Sequence, residues 1–205
     1  MYKLFVFDLG NVIIPFDHTT IAPRLLKYSK KEDAFKPEDI HRFFYREEEL
    51  EHKYEEGKIG TTEFISNVRE RFSLDISNEE FTSIFCDIFF SASREVEEIL
   101  MGLKKSKRRL VLLSNTNEMH FEHIMKRYEI MSIFDYYILS YRIGCRKPDR
   151  RIYEHLIEYA RCNPEEIFYT DDMIDYIEAA KRLGMSAHHF KDSGSIYPVL
   201  KDYLI

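Results

Sequence analysis

Four short apolar runs each stop at a cluster of polar residues, and helix-period segments lie between them. Lys3 to Phe7 ends at Asp8-Leu9-Gly10-Asn11, Arg109 to Leu113 ends at Ser114-Asn115-Thr116-Asn117, and Ile167 to Tyr169 leads to Thr170-Asp171-Asp172. Tyr136 to Leu139 is followed by a loop that reaches Lys147-Pro148, and a fifth run covers Ser186 to Phe190. Runs this short and this continuously apolar read as strands buried on both faces. The segments between them carry apolar residues at the spacing of one helical face, as in Ile152, Tyr153, Leu156, Ile157 and Ala160. Alternation of this kind predicts an α/β fold with a parallel sheet covered by helices on both faces, and ligands bind such sheets beyond the carboxyl ends of the strands.

Residues 16–91 interrupt the alternation. They contain no convincing strand and read as three or four inserted helices. Pro37 suits a first helical turn, Ser77-x-x-Glu80 has the form of a capping box, and Gly57 and Gly60 punctuate two helices. Phe81, Ile84, Phe85, Ile88 and Phe89 form an apolar stripe, expected to pack among the inserted helices. The acidic run Glu47 to Glu51, with Glu55 and Glu56, is expected to be a solvated helix face, and His120 and His123 are expected on a helix surface. His188 and His189 should face opposite ways on the fifth strand, which argues against a joint metal site.

The chain has 205 residues and a formal charge of −6, so its length fits one domain carrying an insertion and its charge offers no global attraction to nucleic acid or an anionic membrane. Three cysteines, Cys86, Cys145 and Cys162, are far apart and form no C-x-x-C pair, which suits a reduced cytoplasm better than a disulfide framework or a zinc site. The apolar stretch Leu4 to Phe16 is broken by Asp8 and too short to span a bilayer. A small-molecule partner is the expectation; composition says nothing of oligomeric state.

Each strand-end group alone reads as a turn or a helix cap. Together, Asp8, Ser114 with Asn115, Lys147, and Asp171 with Asp172 follow strands of one inferred parallel sheet and should meet at one edge. Clustered carboxylates repel one another unless a cation lies among them, and hard oxygen donors suit Mg²⁺. A lysine and a hydroxyl beside them face an anion. That set matches the needs of phosphoryl transfer, with a carboxylate able to act as nucleophile.

The segments Phe5-Val6-Phe7-Asp8-Leu9-Gly10-Asn11-Val12, Leu112-Leu113-Ser114-Asn115-Thr116-Asn117, Gly144-Cys145-Arg146-Lys147-Pro148-Asp149 and Asp171-Asp172, the last followed by Glu178-Ala179-Ala180 and Leu183-Gly184-Met185, resemble the four ordered motifs of the haloacid-dehalogenase superfamily. The likeness spans nearly the whole chain, and its opening resembles the subgroup containing bacterial α-glucose-1-phosphate phosphatases. It implies a Rossmann-like, doubly wound core of residues 1–15 and 92–205 with a helical cap of residues 16–91. It also implies a Mg²⁺-dependent phosphatase acting on small phosphorylated metabolites, possessing Asp8 as nucleophile and metal ligand and Lys147 as its neutralising partner. The Gly10 carbonyl, Asp171 and Asp172 would complete the metal site, and Ser114 and Asn115 would bind the phosphoryl group.

Two positions depart from the pattern. Gly10 stands where most phosphatases of this superfamily carry an acid–base aspartate, leaving Asp17 or His18 as substitutes, or a substrate such as a sugar 1-phosphate whose leaving oxygen is relatively acidic. Tyr176 stands where Asn or Asp usually supports the lysine, with Asp175 next door. Two other readings stay open: 2-haloacid dehalogenation, against which the aspartate pair argues, and a catalytically inactive member that binds a phosphorylated ligand or a partner.

Overall fold

The computed structural model describes residues 1–31, 34–47 and 49–204. Five parallel strands, β1 (Leu4–Phe7), β2 (Arg109–Ser114), β3 (Tyr136–Leu139), β4 (Ile167–Asp171) and β5 (Ser186–His189), form one sheet in the order β3-β2-β1-β4-β5. The chain builds one half of the sheet outward from β1 to β3 and then returns to the other side of β1. The order therefore reverses beside β1, where a crevice opens above the strand ends. This is a Rossmann-like α/β fold, with the parallel sheet that the alternation implies and the core that the family resemblance implies.

The helices are α1 (Ile21–Leu26), α2 (Pro37–Arg42), α3 (Leu50–Glu55), α4 (Thr61–Phe72) and α5 (Asn78–Cys86) between β1 and β2, together with α6 (Arg94–Lys105), which leads into β2. Then follow α7 (Glu118–Arg127), α8 (Ser140–Ile143), α9 (Arg150–Ala160), α10 (Ile174–Arg182) and α11 (Ser193–Leu200). A π-helical turn, Phe43–Glu47, follows α2 directly. No helix among the described residues is long and apolar enough to cross a membrane.

Period-two alternation divides the core. Leu4 and Val6 face one side of the sheet, with Val111, Leu113, Ile138 and Tyr169, and pack on Ile152, Leu156 and Ile177 of α9 and α10. Phe5 and Phe7 face the other, in an apolar cluster that continues without a break into Phe64, Phe72, Phe81 and Phe85 of the inserted helices. Each fully buried Phe contributes about 1.5–3 kcal/mol relative to exposure, so this shared cluster ties the inserted helices to the sheet. The stripe on and just beyond α5 is buried there, as expected.

Local signals place the inserted helices. Pro37 opens α2, and the Ser77 hydroxyl accepts from the Glu80 amide at 3.1 Å to start α5. Gly57 follows α3 at φ +64°, and a Cβ there would overlap the carbonyl of Tyr141 in α8, so glycine lets this end of the insertion touch the loop that leads to Lys147.

Two expectations about surfaces are overturned. His120 is buried: its Nε2 meets the Phe85 carbonyl at 3.0 Å, its Nδ1 meets the Asn117 amide at 3.1 Å, and its ring stacks on Phe85, because α5 covers this face of α7. Burial lowers its pKa to about 3. The acidic run is not a solvated face either. Glu51 is 1% exposed and Glu55 is largely covered, because the face of α3 that carries both turns toward the strand ends. Glu47, Glu49 and Glu56 remain at least partly exposed, and Glu48 lies outside the described residues.

Candidate active site

Asp8 extends β1, its amide donating to the Thr170 carbonyl at 3.0 Å, which places its carboxylate at the reversal point of the sheet. Lys147 reaches the same point from the loop after β3. Asn115 fixes that loop with both ends of its side-chain amide: Oδ1 accepts from the Lys147 backbone N–H at 2.7 Å, and Nδ2 donates to the Lys147 carbonyl at 3.0 Å. Asp149 then caps α9 by accepting from the Arg151 amide at 2.9 Å.

The Lys147 ammonium, 2% exposed as a residue, donates to Asp8 Oδ1 at 2.7 Å, Asp171 Oδ2 at 2.6 Å and the Leu113 carbonyl at 3.1 Å. These three acceptors use all three of its protons. Burial alone would lower its pKa; Asp171 and Asp8 outweigh burial and raise it, so it stays charged. Burial pushes Asp8 up to about 7 and Asp171 adds to the rise, while Lys147 pulls it down. Asp171 also accepts from the Tyr169 hydroxyl at 2.5 Å and, through Oδ1, from the Met173 amide at 2.9 Å. Asp172 is raised by burial and by Asp171, and its Oδ2 accepts from Asn11 Nδ2 at 3.3 Å.

Asp8, Asp171 and Asp172 each present a carboxylate oxygen, and the three oxygens lie within 4.8 Å of one another. Oxygens around one Mg²⁺ at about 2.1 Å stand roughly 3–4 Å apart, so a shift of under about 1 Å would close this set on the ion. The donor set therefore fits Mg²⁺. Ser114 ends β2 and is 2% exposed, with its hydroxyl directed to the Asn115 carbonyl at 3.3 Å.

Tyr176 lies over the lysine. Its ring centroid is 5.1 Å from Lys147 Nζ, and its hydroxyl accepts from Asn115 Nδ2 at 3.3 Å. Asp175 is exposed and does not take the place of the missing amide or carboxylate. Support for the lysine comes instead from its three acceptors and from this aromatic face.

At Gly10 the structure gives a steric reason for the absent carboxylate: a Cβ would overlap the Phe16 ring, which is fixed against His18 and Phe89. Gly10→Ala is accordingly expected to lose about 1–3 kcal/mol in urea unfolding. The combined Gly10→Ala, Phe16→Ala protein should be more stable than the sum of the single losses, and simple additivity would show that the ring is not the obstacle. Of the two sequence substitutes, Asp17 is engaged elsewhere, accepting from the Thr19 amide at 2.9 Å and the Thr19 hydroxyl at 2.6 Å. His18 reaches the site.

A cavity of about 230 Å³ stands above these groups. Asp8, Gly10, Asn11, Asn115, Lys147, Asp172 and Tyr176 line it from the strand ends, and Phe16, His18, Tyr45, Glu51 and Glu55 line it from the inserted helices. Arg146 joins the two sides through an ion pair, its Nε 2.6 Å from Glu55 Oε2, although the N–H is not aimed at the oxygen. Burial raises both Glu51 and Glu55 to about 7 and lowers His18. Tyr169, Tyr45, Glu51 and Glu55 lie outside the motif residues given a role, and Arg146 lies within the lysine motif but has no role there. Tyr169 was within reach of it, since it lies two residues before Asp171 on one strand and so shares its face.

Known proteins resemble the chain over most of its length. The chain is 27% identical over 190 residues to D-ribitol-5-phosphate phosphatase of Bacteroides thetaiotaomicron, covering 90% of this chain and 89% of that protein. It is 22% identical over 192 residues to a sesquiterpene phosphatase of Aspergillus oryzae, covering 94% and 91%. A crystal structure of a HAD family enzyme from Bacteroides thetaiotaomicron, in complex with magnesium and inorganic phosphate, superposes with a TM-score of 0.81 at 24% identity, covering 93% of this chain and 95% of that one. Residues 2–184 match the haloacid dehalogenase-like hydrolase family, and the chain belongs to it.

Proposed function

We infer that this protein is a Mg²⁺-dependent phosphatase of small phosphomonoesters, sugar or polyol phosphates among them, working through an aspartyl-phosphate on Asp8. The observation that carries the reading is the buried Lys147 ammonium, held between Asp8 and Asp171 at the floor of the cavity. A purely structural ion pair has no need of a third carboxylate, Asp172, at the same point. The phosphatase names of both relatives support it.

In this reading Asp8 attacks phosphorus in line with the leaving oxygen, the ester P–O bond breaks, and the leaving oxygen takes a proton from solvent to depart as the alcohol. Water then attacks phosphorus and releases Asp8 and inorganic phosphate. Lys147 pulls Asp8 toward its ionised form against burial and offsets charge on the phosphoryl oxygens, Ser114 and Asn115 position the group, and Tyr176 covers the lysine. Mg²⁺, held by Asp8, the Gly10 carbonyl and the Asp171–Asp172 pair, would supply further positive charge to the phosphoryl oxygens. Residues 16–91 act as a cap over a core of residues 1–15 and 92–205, excluding bulk water during attack. With no carboxyl at position 10, an ester with a relatively acidic leaving oxygen would need less help in leaving.

The test is phosphate release from a panel of sugar, polyol and aryl phosphates. Turnover should require Mg²⁺, stop with EDTA and return with excess Mg²⁺. Halide release from 2-haloacids without metal would instead favour a dehalogenase, and a folded protein inert to every ester would favour a binding role.

A further inference from the structure

The part of the cavity wall that comes from the helices between β1 and β2 carries polar atoms that the protein leaves unsatisfied. Both carboxylate oxygens of Glu51, the Tyr45 hydroxyl and His18 Nδ1 are buried and have no hydrogen-bond partner of acceptable geometry. Tyr45 stands close enough to Glu51 to lower its pKa against the larger effect of burial, but the two do not align. Glu55, the other carboxylate of this wall, is held by Arg146. A buried polar atom without a partner costs about 1–3 kcal/mol, and a ligand that supplies the partner recovers that loss.

We propose that Glu51, with Tyr45 and His18, binds hydroxyl groups on the leaving portion of the substrate, so that the site selects phosphate esters of short polyols over esters of apolar alcohols. The inference rests on the phosphatase reading and names the substrate class for that site. An ionised carboxylate only accepts hydrogen bonds, a phenol and an imidazole both donate and accept, and a chain of hydroxyls matches all three. An ammonium group fits less well, because Arg146 already supplies a cation to this wall. Burial raises Glu51 to about 7, so part of the population presents a neutral carboxyl, which pairs with alcohols in both senses. At about 230 Å³ the cavity is smaller than the roughly 300–1,000 Å³ of sites for drug-sized ligands, which suits a phosphate with a short chain.

The experiment compares ribitol 5-phosphate with pentyl phosphate, an ester of equal chain length without hydroxyls, by calorimetric titration of the full-length Asp8→Asn protein with Mg²⁺. Ribitol 5-phosphate should bind more tightly by about tenfold or more, and Glu51→Leu in that background should bring the two within about twofold by weakening only the polyol ester. Tyr45→Phe, which keeps the ring, should reduce the ratio by about threefold or more and serves if Glu51→Leu does not fold. Equal binding of the two esters, a ratio unmoved by either variant, or tighter binding of 5-aminopentyl phosphate would overturn the proposal. Preference for pentyl phosphate would overturn it too, and would direct attention to the apolar cavity behind His18 and Tyr45, lined by Ile21, Ala22 and Phe44. The phosphatase reading fails separately: wild-type protein that shows the binding preference but releases no phosphate from either ester sinks that reading alone.

Discussion

Lys147→Met is expected to abolish phosphate release and to lower unfolding stability by about 3–5 kcal/mol, the usual consequence of removing one partner from a buried ion pair. Methionine keeps most of the length but leaves Asp8 and Asp171 facing each other without the ammonium that lies within 2.7 Å of both. The loss should depend on pH. Burial already raises Asp8 from 3.8 to about 7, and removing the lysine removes a pull in the other direction. Wild-type stability stops falling once pH passes the Asp8 value of about 7, whereas the folded variant keeps that proton to higher pH and goes on losing stability there. Urea unfolding in EDTA should therefore show a larger deficit at pH 8 than at pH 5.5. An equal deficit at both values would mean that the lysine acts by packing and not by charge.

Asp8→Asn should separate chemistry from fold. Asparagine preserves shape, and Lys147 keeps its bonds to Asp171 and to the Leu113 carbonyl. Thermal stability should stay near that of the wild type, while phosphate release falls on the order of 10⁴-fold or more, as for other lost nucleophiles. Residual activity within tenfold of the wild type would transfer the nucleophile's role to water and leave Asp8 a metal ligand only.

That the strand-end groups meet at one edge is legible in the sequence, and for a physical reason. A strand buried on both faces of a parallel sheet is a continuous apolar run, so its end is marked by the first polar residue, and parallel strands deliver those ends to one edge. Asp8, Lys147 and Asp171 meet there within hydrogen-bonding distance. The inserted helices were legible only as helices. Which face of α3 turns inward depends on its docking against the strand ends, and charged residues at helical spacing look the same whether solvent or a cavity faces them. By that pattern Glu51 and Glu55 belong to a solvated face, but in the fold they line the cavity. His120 was misplaced in the same way, since its neighbour Phe85 is more than thirty residues away in the chain. The Gly10 departure is readable in sequence, but its cause, the Phe16 ring, exists only once the loop after β1 has closed.

The central claim is that phosphate passes through Asp8. Acid-quenching the enzyme during turnover of an aryl phosphate with Mg²⁺, followed by peptide mass spectrometry, tests it directly. A phosphate adduct on the peptide that contains Asp8, absent from Asp8→Asn protein and from samples quenched after EDTA treatment, is the predicted result. Rapid phosphate release with no adduct at any quench time, or an adduct on a different residue, would contradict it.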